Sequence, residues 1–139
     1  MHWRKYLVVT TIVWSALIGL LNSAWAQPDE AYYRRIAARA AGEASFSEEA
    51  FAAVVCTMKN RLEAGWTREN VLEPYFAPDV EPTNDQVAIA WEVLRGHRYC
   101  DPQFYYSLGF IDNWTPGTEL AGVIQAPDGS KGIRLYSQN

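Results

Sequence analysis

Histidine and cysteine are scarce in this chain, two of each among 139 residues, and the scarcity removes whole chemistries. His2 lies at the extreme N-terminus, which leaves His97 for any site in the body of the chain. A zinc hydrolase takes two or three histidines among its ligands, and neither Cys-x-x-Cys nor His-Glu-x-x-His occurs. A cysteine peptidase needs a thiolate beside a histidine, whereas Cys56 falls inside an apolar helical pattern, the place of a packing or disulfide residue. Phosphate loops and dinucleotide fingerprints are missing, and Asp128-Gly129-Ser130-Lys131-Gly132 lacks the Gly-x-Ser-x-Gly spacing and reads as a turn. Basic residues are also in deficit, 12 against 16 acidic ones for a net charge of −4, which argues against nucleic acid as a partner. No metal and no cofactor is expected. The chemistry that remains is that of carboxylates.

Hydrophobic runs are short as well. The main one, Tyr6 to Leu21, follows Arg4 and Lys5 and precedes Ala24-Trp25-Ala26, the order of charged region, apolar stretch and small-x-small cleavage site that marks an export signal. It is shorter than the roughly 20 residues of a spanning helix and carries Thr10, Thr11 and Ser15. Cleavage before Gln27 is therefore expected rather than a retained anchor. Residues 27–139 then make one domain, exported to the periplasm or cell envelope, free of the membrane and expected to be a monomer. Export would allow Cys56 and Cys100 to pair as a disulfide between the second helix and the segment after the third. Two buried free thiols are the alternative.

The periodicity of the exported part is mainly helical. Pro28, Asp29 and Glu30 suit a first turn, and Tyr33, Ile36, Ala40 and Glu43 follow at steps of three and four, which predicts a helix from about Pro28 to Glu43. Ser47, with Glu48 and Glu49 behind it, opens a second helix whose stripe is Phe51, Val54, Val55, Met58 and Leu62, with Gly65 at its stop. Thr67 caps a short turn through Leu72, and Pro74, Pro78 and Pro82 then break the period. A third long helix is expected over Asn84 to Arg95, stopped by Gly96. Beyond His97 the composition of Phe104-Tyr105-Tyr106 and of Ile133 to Tyr136 is strand-like. The fold class is mainly α: a small helical domain with an irregular, aromatic-rich C-terminal part containing short strands.

Among the carboxylates, Glu43 is singled out by position. It falls on the helix stripe that faces the core, where burial disfavours the ionised form and brings the proton into the range a general acid needs. A half-solvated glutamate at a fraying helix end is the plain alternative. Carboxylate catalysis with many aromatics suits glycoside cleavage, in which an acid protonates the departing oxygen and ring faces hold sugars. Tyr99, Phe104, Tyr105, Tyr106, Phe110 and Trp114 supply the rings, as core anchors or as a sugar platform. Asp79, Glu81, Asp85, Asp101 and Asp112 are all open as a second carboxylate. A one-carboxylate mechanism, with the substrate's own N-acetyl and hydroxyl groups assisting, needs none of them.

Ala41-Gly42-Glu43-Ala44, the Ala/Val-rich helix ending at Asn60-Arg61, the stretch from Ala90 to Gly96 and the aromatic Phe104-Tyr105-Tyr106 together resemble the SleB-type cell wall hydrolases, the family of spore-cortex-lytic enzymes. The resemblance runs from about Arg34 to Tyr136. It implies a lysozyme-like domain acting on peptidoglycan glycan strands, by lytic transglycosylase or muramidase chemistry, with Glu43 as the catalytic acid and base. A cell wall amidase and a non-catalytic wall-binding module are the alternatives. On the same resemblance Asn60 and the aromatics Phe104, Tyr105 and Tyr106 would contact substrate, and Arg61 would be structural. The chain departs from the family at Ser45-Phe46-Ser47-Glu48, where the family commonly has Arg-Gly-Glu-Pro, and at Arg134, where a histidine is often found.

Overall fold

The computed structural model describes residues 29–73, 75–112 and 118–138. The expected leader and cleavage site, Pro28, Pro74 and Trp114 lie outside them. Among the described residues the chain is mainly helical, with four helices followed by a three-stranded sheet.

Helix α1 (Glu30–Glu43) starts two residues later than the composition suggests, because Asp29 serves as its N-cap and accepts the Tyr32 amide at 2.8 Å. Its buried stripe is Tyr32, Tyr33, Ile36, Ala37, Ala40 and Ala41. The three alanines keep that face thin, so the next helix can lie close. Helix α2 (Glu48–Glu63) opens on Ser47, whose hydroxyl accepts the Ala50 amide at 3.0 Å. It ends before Gly65, whose φ of 96° only a residue without a Cβ adopts at little cost. Thr67 caps the single turn α3 (Arg68–Val71), and Thr83 with Gln86 forms a capping box at the start of α4 (Asn84–Leu94).

Helix α2 is the centre of the domain. It touches α1, α3, α4 and the sheet, and Phe51, Val54, Val55 and Met58 are buried beneath them. The sheet comprises β1 (Tyr106–Gly109), β2 (Leu120–Gln125) and β3 (Gly132–Tyr136), with β3 in the middle and both pairings antiparallel. Strand β1 begins at Tyr106, so Phe104 and Tyr105 precede it. Strand β2 was not anticipated from composition: an irregularity between Leu120 and Gly122 disrupts the two-residue alternation, and only part of the strand is covered. Ile133 and Leu135 turn one face of β3 into the helical core.

Cys56 and Cys100 form a disulfide with Cα atoms 5.3 Å apart, joining α2 to the segment after α4. Closing a loop of 44 residues stabilises the fold by about 4 kcal/mol on chain-entropy arithmetic.

A half-buried glutamate between two loops

The Gly-Glu pair at the end of α1 is explained by what lies against it. A Cβ on Gly42 would sit 2.2 Å from the carbonyl oxygen of Pro78, so a side chain there would push the 75–80 segment off the helix. That segment is strapped down on both sides of the contact. The Val80 amide donates to the Ala38 carbonyl at 3.1 Å, and Arg39 reaches out from α1 to pair with Asp79 and to donate to the Leu72 carbonyl. The result is a loop fixed at the helix end with its amides turned toward residue 43. Ala77 N–H donates to Glu43 Oε1 at 2.9 Å, and the Phe76 amide also bears on the carboxylate.

Glu43 is half-buried. Burial pushes its carboxyl above the ordinary carboxylate range, the Ala77 amide pulls the other way, and the negative charge of Asp112 pushes up again. The Phe76 amide and Arg39 oppose the rise less strongly. A position on the last turn of a helix acts in the same sense as burial, since the negative end of the helix dipole disfavours another negative charge. Asp112 arrives from the turn after β1. Its Oδ2 accepts the Gly109 amide at 2.8 Å, and Arg134 Nη2 ties the turn by donating to the Gly109 and Asp112 carbonyls at 2.6 and 2.9 Å. Of the carboxylates left open by spacing, Asp79 is engaged by Arg39 and Asp101 accepts the Gln103 amide. Asp112 is the one that raises Glu43.

Behind Glu43 lies a second polar group, centred on Arg61, which is 0% exposed. Its Nε donates to the Tyr105 carbonyl at 2.6 Å and its Nη1 to the Val71 carbonyl at 3.2 Å. The rings of Trp66, Tyr75 and Tyr106 lie 5.0–5.3 Å from the guanidinium carbon. Tyr75 links the two groups. Its hydroxyl is 2.7 Å from Thr57 Oγ1, and Thr57 donates its hydrogen to the Val54 carbonyl at 2.6 Å. Tyr75 is therefore the donor in the first of these bonds. Burial pushes the Tyr75 phenol up, Arg61 pulls it down, and Glu43 pushes it up again.

The structure places Tyr105 and Tyr106 against Arg61, and Asn60 and Phe104 beside the Cys56–Cys100 disulfide. Asn60 is only 7% exposed, and its amide donates to the Asp101 and Phe104 carbonyls at 2.8 and 2.9 Å. It clips the segment after α4 onto α2, with its amide hydrogens engaged by those two carbonyls. The Tyr105 carbonyl takes the Arg61 bond, and the Tyr106 ring packs on both Arg61 and Trp66. Phe104 faces Gly122 of β2 at 3.2 Å from where a Cβ would stand. It lines a cavity of about 590 Å³ that also contains the disulfide. A larger cavity of about 680 Å³ lies between α1 and α4, around Tyr33, Trp91 and Arg95. Neither cavity is lined by Glu43.

Spacing did not reveal Arg39, Tyr75 or Phe76. Arg39 is one helical turn before Glu43, a usable signal, but the two rings lie in a proline-broken segment without a period. Among the described residues no group of three or more His, Cys, Asp or Glu is placed to hold a metal ion, and no helix is long and apolar enough to cross a membrane. Comparison of the chain with models of known protein families, with curated proteins and with solved structures finds no match.

Proposed function

We propose that this chain is an exported hydrolase of cell wall glycan in which Glu43 acts first as general acid and then as general base. The observation that carries the reading is the environment of that one carboxyl: half out of water, fixed through one oxygen by the Ala77 amide, and raised by burial and by Asp112. The protonated carboxyl would give its hydrogen to the glycosidic oxygen as the bond to the anomeric carbon breaks. Asp112, of opposite sign to the charge developing on the sugar ring, would favour that step. In the lytic form of the reaction a hydroxyl of the substrate closes on the anomeric carbon and its proton returns to Glu43. In the hydrolytic form water does so. The resemblance around Gly42-Glu43 and Asn60-Arg61 to SleB-type hydrolases supports peptidoglycan as the glycan, and the Cys56–Cys100 disulfide supports an oxidising compartment.

Glu43→Gln preserves size and the acceptor for Ala77 while removing the acid. Clearing of a suspension of purified cell wall should slow by about a hundredfold or more. Wall cleared at the native rate by this variant would end the assignment. Mass spectrometry of the soluble products distinguishes the reactions, since anhydro-sugar ends, reducing ends and freed peptides correspond to lytic, hydrolytic and amidase cleavage. A wall-binding module without turnover is the second reading, favoured by the two cavities lying away from Glu43 and by Trp91, 39% exposed, in the larger one. It predicts sedimentation of the protein with insoluble wall and no released product.

A further inference from the structure

The strand order β1-β3-β2 leaves one outer edge on β1 and another on β2, and the two are finished differently. In the β2–β3 hairpin the Ala126 amide donates to the Lys131 carbonyl, and the register sets Gln125 against Gly132, Ile124 against Ile133 and Val123 against Arg134. Bonded and unbonded pairs alternate in an antiparallel ladder, so Ile124 turns its amide and carbonyl to β3 while Val123 and Gln125 turn theirs to the outer edge. Carried across β3, the same alternation points the Gly109 amide outward on β1, where Asp112 Oδ2 accepts it at 2.8 Å. Nothing comparable closes β2: among the described residues no side chain or loop bonds the outward groups of Val123 and Gln125. The side chains do not guard this edge either. Leu120–Gln125 contains no charge and no proline, the usual means by which an edge strand is kept from pairing. The irregularity between Leu120 and Gly122 bends only the start of the strand. Ile124 packs on the core and Gly122 on Phe104, whereas Val123 is 49% and Leu120 57% exposed.

We infer that the free edge of β2 pairs with β2 of a second copy of this chain, antiparallel about a two-fold axis, joining two sheets into one of order β1-β3-β2-β2-β3-β1. The inference is independent of the chemistry at Glu43 and replaces the monomer expected from the sequence. Placing Val123 of one copy opposite Gln125 of the other satisfies the outward amide and carbonyl of both residues in both copies. It also brings the two exposed Val123 side chains to one face, where each covers the other. A lipid or an apolar helix would cover Val123 and Leu120 but has no free backbone groups to offer the edge. A like strand has them at the matching spacing, and the absence of charge along β2 lets it approach its own copy without repulsion. With six residues in each strand the interface is small and the dimer weak, with a Kd of about 0.1 mM.

Sedimentation equilibrium of the purified chain between about 10 μM and 1 mM should show the particle mass rising from one chain to two. Over the same range amide exchange should slow at Val123 and Gln125 and stay constant at Ile124, whose amide is already bonded to β3. Val123→Pro removes an outward amide and no bond of the β2–β3 ladder, so it should keep the mass of a single chain at every concentration. Val123→Lys and Val123→Glu read the same edge should the proline variant fail to fold. Each alone should weaken association about fivefold, and an equal mixture of the two should restore it. A single-chain mass for the native protein throughout the range overturns the proposal and leaves the edge to a partner of other chemistry. A dimer that persists in both charged variants, with Val123 exchange unaltered by concentration, overturns it by placing the contact elsewhere.

Discussion

The last turns of α1 and α2 each carry a charge into the interior, Glu43 on one and Arg61 on the other, and their surroundings treat the two charges in opposite ways. Arg61 is sealed: three rings cover the guanidinium, and Tyr105 and Val71 carbonyls take its hydrogens. Among the described residues it has no carboxylate within ion-pair distance. Glu43 is left half in water, with the Ala77 amide on one oxygen and a second negative group placed where it raises the cost of ionisation. The first arrangement fastens β1 and α3 to the core. The second makes a proton harder to remove from a half-buried carboxyl, the kind of perturbation on which the proposed chemistry rests.

Breaking the sealed end should have the largest effect. Arg61→Ala removes two bonds to buried carbonyls and empties the space among Trp66, Tyr75 and Tyr106, so the domain should lose about 3–5 kcal/mol in urea unfolding. A loss below about 1 kcal/mol would mean that the guanidinium is not the fastening described. The open end is tested next through its glycine. Gly42→Ala drives a Cβ into the Pro78 carbonyl, and the strap must give way at a cost of about 1–3 kcal/mol. As burial is the leading cause of Glu43's raised value, its carboxyl should fall back toward the ordinary range once the loop moves away. A carbon-13 titration of the carboxyl reads that fall directly, and an unchanged value would show that the loop is not what keeps water out.

The smallest effect is the dependence of stability on pH. Because the folded chain holds the Glu43 proton more tightly than the unfolded chain, this group's contribution is complete at low pH. It is lost as pH rises from the ordinary glutamate value of about 4.5 through the raised one. The melting temperature of Glu43→Gln should therefore gain on that of the native chain across this window, and the two should move in parallel above it. A native chain that instead gains on Glu43→Gln as pH rises through this window would reverse the sign assigned to Glu43.

Much of the helical part can be read from the chain because local rules decide it. The side chains of Asp29, Ser47, Thr67 and Thr83 each accept a capping hydrogen bond at or beside the expected start, and the expected stripes of α1 and α2 are buried apart from the half-buried Glu43 and Leu62. Glu43's place on the inner stripe is likewise visible from its spacing to Ile36 and Ala40. What surrounds it is not, because Ala77, Phe76 and Asp112 reach it through tertiary contacts across 30 or more positions, and no periodicity records them. Asn60 shows the same limit. Only the resemblance of the Asn60-Arg61 pair suggested a ligand contact for it, and no periodicity shows that its hydrogens go to two carbonyls of the Asp101–Phe104 turn.

The Thr57 hydroxyl has one further consequence. Since the Val54 carbonyl can only accept, the hydrogens of Thr57 and Tyr75 are both directed inward along a single line that ends on helix backbone. Such a line has no vacancy for an incoming hydrogen. On the chemistry proposed for Glu43, the proton would then be exchanged on the outer side of the carboxyl, by way of bulk water or a bound molecule, and not through this line of hydroxyls.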